Sequence, residues 1–344
     1  MAKVPKHKKQ EFNLPLTVVT NLFAYNVNVK TIETLLITGG SGFVGQSLLD
    51  HLSNLPKDKL PKVIGLTSRN IPVNVPRALT KKVQIEEISC NLHNAWDFDF
   101  QATHVINLAG DGSQNAYSQD SAADFGLITN NLVNWCEGQN SPTIFHASSG
   151  ACYFDNSENR SLSENENLHD AASGEYAFAR KRKFYIQSRI ASENLLKLSE
   201  QEGILSLRIG RLFSFVGNHL RQKPQYAVSS FVEMAESNKK IELTGNPLTT
   251  RGFLSAEDMA SWIYRALDST VDSSVLSIGS SSPVTMIELA TFIANLSNSK
   301  IIILNPDSQS DVYLADNYET CKRLQVNETI KWQEQIMRYM KIKI

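Results

Sequence analysis

The stretch TLLITGGSGFVGQSLLDHL, residues 34–52, constrains the fold more than any other part of the chain. An apolar run suited to one buried strand leads into Gly39, Gly42 and Gly45, spaced three apart, and then into a helical pattern. The first glycine permits a tight turn. The second lets backbone approach a pyrophosphate, and the third lets helix pack closely on strand. The N–H groups and positive dipole end of the following helix suit phosphate. The spacing is Gly-x-x-Gly-x-x-Gly rather than the commoner Gly-x-Gly-x-x-Gly, yet the physical demands are the same. A dinucleotide loop opening the first βαβ unit is expected, with a purely structural turn as the alternative.

The residues that follow extend the pattern. KVIGLTS, KKVQIEEIS, HVINLAG, PTIFHASS and ILSLRIG read as strands two to six, with helical patterns such as DFGLITNNLVNWCEG between several of them. Strands alternating with helices imply a parallel sheet covered on both faces. Right-handed crossovers then leave an open, doubly wound, Rossmann-like α/β fold. The expected organisation is an N-terminal extension (1–33), a dinucleotide-binding domain (34–215 plus 251–282) and a smaller C-terminal substrate-binding lobe (216–250 plus 283–344). The polar stretch 155–174 reads as a long surface loop near the end of strand five, where lids occur.

Composition narrows the partners. A net charge of −1 leaves no global field to recruit nucleic acid or an anionic membrane. No apolar run approaches the roughly 20 residues of a membrane span, and the N-terminal apolar stretch is broken by Asn and Thr as a signal peptide would not be. Cys90, Cys136, Cys152 and Cys321 show neither C-x-x-C spacing nor histidine partners. No metal site is expected, and a reducing cytoplasm is.

The end of strand two should select the dinucleotide. A carboxylate there would hold a ribose 2′-hydroxyl, and an arginine would accommodate a 2′-phosphate. This chain has Thr67, Ser68 and Arg69. A hydroxyl and a guanidinium tilt the choice to NADP, with NAD left open.

In FYIQSRIASENLL, residues 184–196, Tyr185, Arg189 and Glu193 stand four apart and share one helix face. Taken alone, this describes a surface helix laced by an Arg189–Glu193 ion pair. It also describes a catalytic helix in which a tyrosine acid stands beside a cation.

The second reading gains weight from TGGSGFVG, HVINLAG, SSGACY, YIQSRIASENLL, TTRGFLSAEDMA and LSIGSSSPVTMIELA, in that order. Together they resemble the extended short-chain dehydrogenase/reductases, specifically the nucleotide-sugar epimerase/dehydratase group, from about residue 34 to about residue 326. The resemblance implies a catalytic set of a serine near the end of strand five and a Tyr-x-x-x-Lys helix. Ser149 matches the serine and Tyr185 the tyrosine, with Arg189 where the family has lysine. Tyr176, in YAFAR, is the rival tyrosine, but it would require a large insertion before strand six.

The resemblance also implies a wider cofactor set: Gly39, Gly42, Phe43, Val44, Gly45, Thr67, Ser68, Arg69, Asn91, Leu92, Leu108, Ala109 and Gly110, with Tyr185 and Arg189. Ser149, Gly150, Arg211 and Arg251 would face substrate, and Arg251 would hold the nucleotide diphosphate. A second family arginine is expected shortly before YLADNYETCKRL, where this chain has NPDSQSDV.

The chemistry explains why those residue types are required. Interconverting a sugar ketone and alcohol moves a hydride on nicotinamide and a proton on oxygen. A phenol ordinarily ionises near pH 10, and a neighbouring cation favours the phenolate. Guanidinium supplies that charge but, being permanently protonated, relays no proton. Gly150 and Ala151 follow Ser149 where the family's dehydratases carry an Asp-Glu pair, which argues against dehydration. A 4-keto-sugar reductase, a 4-epimerase, and a catalytically impaired binding protein of the same fold remain open. A homodimer is what the resemblance implies.

Overall fold

The structure is a computed structural model that describes residues 32–69, 72–110, 118–153, 177–222, 226–268, 270–272 and 274–342. The first half runs β1 (Thr34–Thr38), α1 (Phe43–Asn54), β2 (Val63–Ser68), α2 (Arg77–Thr80), β3 (Gln84–Ser89), β4 (His104–Asn107), α3 (Gln119–Cys136), β5 (Thr143–Ser149), α4 (Ala177–Gln201) and β6 (Ser206–Leu212). All six strands expected in this half form. The second half runs β7 (Ser214–Val216), α5 (Ala227–Glu236), β8 (Ile241–Leu243), β9 (Thr250–Arg251), β10 (Phe253–Ser255), α6 (Ala256–Arg265) and β11 (Ser274–Ile278). It continues through β12 (Val284–Thr285), α7 (Met286–Ser297), β13 (Ile301–Ile303), β14 (Val312–Tyr313), α8 (Tyr318–Leu324) and α9 (Trp332–Tyr339).

Seven strands form one parallel sheet in the order β11-β6-β5-β4-β1-β2-β3. The order reverses between β1 and β4. There the crossovers leave in opposite directions, and a crevice opens beyond the carboxyl ends of the strands. The near-continuous apolar character of β1, β2 and β5 follows from burial on both faces. On one face, Leu48, Leu49 and Leu52 of α1 pack with Met259, Trp262 and Ile263 of α6. On the other, Ile128 and Leu132 of α3 pack with Leu196 of α4. Each fully buried leucine or isoleucine contributes about 1.5–3 kcal/mol.

A third cluster stands apart from the sheet. Val228, Phe231 and Val232 of α5 meet Leu289 and Ile293 of α7, together with Ile241 and Ile336. Small ladders tie this region together: β13 beside β8, and β9 between β12 and β14. Leu324 of α8, within the stretch expected to form the lobe, packs instead in the core shared by α1 and α6. Among the described residues no helix is long and apolar enough to cross a membrane.

Candidate active site

The rims of the crevice are pinned by one threonine. Thr38 Oγ1 donates to Asn107 Oδ1 at 2.6 Å and accepts from the amides of Leu108 and Ala109 at 3.1 and 3.2 Å. The ends of β1 and β4 are therefore held together just where the sheet order reverses. Gly39 follows β1 at φ +68°, and a Cβ there would lie 2.7 Å from the Leu108 carbonyl oxygen. A Cβ on Gly45 would lie 2.6 Å from the Gly39 oxygen and the Gly40 Cα. Only glycine fits either position. Gly42 caps α1 without a side-chain hydrogen bond, which leaves the helix's N-terminal amides to an incoming group.

The glycine loop lines a cavity of about 500 Å³ with Gly39, Gly42, Phe43, Val44, Gly45, Leu108 and Gly110. Ser149, Tyr185, Arg189 and Arg251 line the same cavity. Three guanidinium groups, those of Arg182, Arg189 and Arg251, border it, and no carboxylate does among the described lining residues. At the end of β2, Thr67 is buried and its Oγ1 has no hydrogen-bond partner, while Arg69 is exposed. A glycine cradle that admits backbone but no side chain at Gly39 and Gly45 fits the pyrophosphate of a dinucleotide.

Other expected residues lie elsewhere. The side chain of Asn91 accepts from His93 Nδ1 at 2.9 Å, and the Leu92 carbonyl accepts from Trp96 and Asn131. Neither residue lines the cavity, nor do Thr67, Ser68, Arg69 and Ala109. Gly150 sits just behind the wall, where a Cβ would meet Phe213 Cζ and Tyr313 Oη at 2.7 Å each. Tyr176 and the stretch 155–174 lie outside the described residues.

Arg211 departs furthest from expectation. Its Nε and Nη2 donate to the two carboxylate oxygens of Glu193 at 3.0 and 2.7 Å, with the side chains 2% and 0% exposed. The guanidinium also lies 4.2 Å over the Tyr153 ring. Ser148 donates to the same carboxylate. Burial alone would raise the Glu193 carboxyl, but hydrogen bonds and charge from Arg211 outweigh it and hold it below the ordinary value. Arg211 thus clamps β6 to α4, and it is not among the described residues that line the cavity. The Arg189–Glu193 pair allowed by helical spacing does not form, because Glu193 turns to Arg211.

Arg189 faces the other way. It is 7% exposed, its guanidinium carbon lies 3.4 Å from the Phe125 ring centroid and 4.8 Å from that of Tyr185, and Nη1 donates to the Ala147 carbonyl at 3.4 Å. A stacked aromatic stabilises a desolvated cation. The ring of His146 lies beside Phe125, at 5.7 Å. Its Nδ1 is 3.0 Å from Asn107 Nδ2, and its pKa is pushed down to about 3 by burial first and by the Arg189 charge second. A neutral histidine therefore adds no second positive charge next to Arg189.

Ser149 Oγ accepts from the Ala151 amide at 3.1 Å and hydrogen-bonds the side chain of Tyr313. Burial, reinforced by the nearby Tyr185, holds the Tyr313 phenol above its ordinary value. Tyr313 and Phe213 stand 4.9 Å apart and close the wall behind Gly150. Sequence reasoning passed over Tyr313, Arg182 and Phe125. Phe125 and Tyr313 lie in unrelated segments and carry no motif, and the position of Arg182, three before Tyr185, is read only once α4 is in place.

Residues 35–279 match the NAD dependent epimerase/dehydratase family. The chain is 24% identical over 277 residues to a dTDP-D-glucose 4,6-dehydratase of Dictyostelium discoideum, covering 77% of this chain and 62% of that protein. It therefore spans less than two thirds of that relative's length. Among solved structures it resembles a dTDP-glucose 4,6-dehydratase from Bacillus anthracis in complex with NAD (TM-score 0.72, 15% identity, 90% of this chain and 96% of that one). It also resembles a UDP-glucuronic acid 4-epimerase from Bacillus cereus, solved with a fluorinated UDP-glucuronic acid and NAD (TM-score 0.71, 17% identity, 90% and 99%). At these identities the structural likeness concerns the fold.

Proposed function

This chain belongs to the NAD dependent epimerase/dehydratase family, and from that premise we propose that it is an NAD(P)-dependent oxidoreductase acting on a nucleotide-activated sugar. The carrying observation is the single cavity in which the glycine loop, Ser149, Tyr185 and three guanidiniums meet. A cavity whose described lining residues include three arginines and no carboxylate, with Asp311 standing behind Arg251, suits two ligands that each carry phosphate. NAD(P) supplies or accepts the hydride. Tyr185 gives or takes the proton at the reacting sugar oxygen, while Ser149 hydrogen-bonds that oxygen and fixes its position. Arg189, held against Phe125, supplies the positive charge beside the phenol. It also lies within reach of the nicotinamide ribose side of the loop, since a Cβ on Gly110 would come 3.1 Å from its Nη2.

Among reactions, net reduction of a 4-keto sugar is favoured. Thr67, Ser68 and Arg69 suit the 2′-phosphate of NADPH, the cofactor of a reductase. Dehydration is disfavoured, because Gly150 and Ala151 follow Ser149 where the family's dehydratases carry an Asp-Glu pair, and a side chain at 150 would meet Phe213 and Tyr313. A 4-epimerase is the second reading, supported by the likeness to the Bacillus cereus 4-epimerase. A catalytically impaired binding protein is the third, and rests on Arg189. The four cysteines are free thiols, which supports a reducing cytoplasm. The proposal includes a homodimer formed through α3 and α4.

The test is a panel of nucleotide sugars and their 4-keto derivatives with NADH and NADPH, with products identified by NMR. A reductase turns over stoichiometrically with NADPH, and an epimerase interconverts sugars on bound NAD. Tyr185→Phe should lower kcat by about 10²–10⁴-fold with the fold intact. Nucleotide and cofactor binding without turnover would leave the impaired protein as the reading. Absence of both would overturn the proposal.

A further inference from the structure

At the cavity mouth, the cation expected to grip a diphosphate already has a partner. Arg251 Nη1 donates to Asp311 Oδ1 at 2.7 Å and to the Thr250 carbonyl at 2.8 Å. The geometry is built in rather than incidental. β9 and β14 pair in parallel with Thr250 opposite Val312 and Arg251 opposite Tyr313, and the Thr250 amide donates to the Asp311 carbonyl at 2.8 Å. The side chains of Arg251 and Asp311 are 20% and 37% exposed, so the pair meets solvent; Arg251 lines the cavity and Asp311 stands behind it. Both contacts use Nη1. The Nε–Nη2 edge of the guanidinium has no partner among the described residues, and it is the edge that takes an oxyanion in a two-point fork. Asp311 also lies in the segment where the family resemblance leads one to expect a second arginine.

We propose that Asp311 is a specificity-determining residue: it is a resident counter-ion that leaves Arg251 one open fork and offsets part of the charge with which Arg251 would attract a diphosphate. This rests on the nucleotide-sugar reading of the same cavity. A site with two arginines would gain with each added phosphate charge. A site with an Arg–Asp pair gains from the first anionic contact and loses part of that gain to the second. Asp311 thereby sets how tightly the nucleotide end of the substrate is held, and biases the enzyme towards ligands with less charge at this point.

The test compares binding of UDP, dTDP and UMP by titration calorimetry to the intact protein and to Asp311→Asn. The variant should bind UDP and dTDP about tenfold more tightly, the scale of an interaction between neighbouring charges near a surface. UMP should gain less. In an Arg251→Gln background the gain should vanish, a result that a merely structural role for Asp311 would not produce. Asp311→Ser, assayed with a melting curve, is the second variant and should move affinity in the same direction. Unchanged or weaker diphosphate binding in both Asp311 variants overturns the inference, as does a gain that persists without Arg251. Both of those results leave the nucleotide-sugar reading standing. If neither the parent protein nor the variants bind any of the three nucleotides, the inference and the nucleotide-sugar reading fall together.

Discussion

Arg69 stands exposed at the end of β2, beside a buried threonine hydroxyl that has no partner. A charge-assisted contact to a 2′-phosphate contributes about 1.5–3 kcal/mol. Arg69→Ala should therefore weaken NADPH binding by about 10- to 100-fold and leave NADH within about twofold. Fluorescence titration with the two cofactors decides this, and parallel losses for both would count against a 2′-phosphate contact. Arg189 and Arg211 show the limit of reading single residues. Helical spacing brings Glu193 within reach of Arg189, but spacing along one helix carries no information about a strand 18 residues further on. Arg211 takes Glu193 in a two-point pair, and Arg189 is left to stack on Phe125 and face Tyr185.

Among the elements, α4 carries Tyr185 and Arg189 and is fixed to the sheet through Glu193. Arg211 of β6 and Ser148 of β5 both hold Glu193. Removing one partner of a buried pair strands the other charge, at a cost of about 3–5 kcal/mol. Arg211→Met should lose that much stability at neutral pH in denaturant unfolding. The sign of its pH dependence follows from Glu193, whose folded pKa lies below the ordinary 4.5. Its contribution is complete above the unfolded value and is lost as pH falls through the lower folded value. The gap between parent and variant should narrow as pH falls through the carboxylate range, because burial raises the stranded carboxyl of the variant and it takes up its proton first. A constant gap would mean that the pair is not its source.

The strands of the first half other than the half-exposed edge strand β3 were legible because they are buried on both faces and read as short apolar runs bounded by turn residues. The glycine loop was legible because Gly39 and Gly45 tolerate no side chain and Gly42 stands between them at the helix start. The aromatic wall was not. Tyr313 hydrogen-bonds Ser149 across 164 positions of sequence, and it enters through the pairing of two-residue strands that leave no periodic trace.

At the scale of the whole molecule, α3 and α4 pack on each other and still present Leu127, Phe184 and Leu198, which are 44%, 41% and 57% exposed. Phe184 and Leu198 are 14 positions apart and so lie within about 40° of each other around the α4 axis. Exposed leucine and phenylalanine on adjacent helices suit a helix-pair interface between two copies. Sedimentation should report a dimer, and Leu198→Glu should shift it towards monomer without lowering the melting temperature of the monomer. A monomeric parent protein at micromolar concentration would remove the homodimer from the proposal.

The parallel pairing of β14 with β9 has a consequence for the order of assembly. Domains fold from the N-terminus as the chain is synthesised, and the sheet through β11 needs nothing beyond residue 278 for its own ladder. Asp311 and Tyr313 emerge later, and only then can they slot beside Thr250 and Arg251. In the proposed function, the strands that carry the dinucleotide cradle therefore leave the ribosome before the wall that meets the second ligand, and cofactor recognition is encoded earlier along the chain than discrimination among substrates.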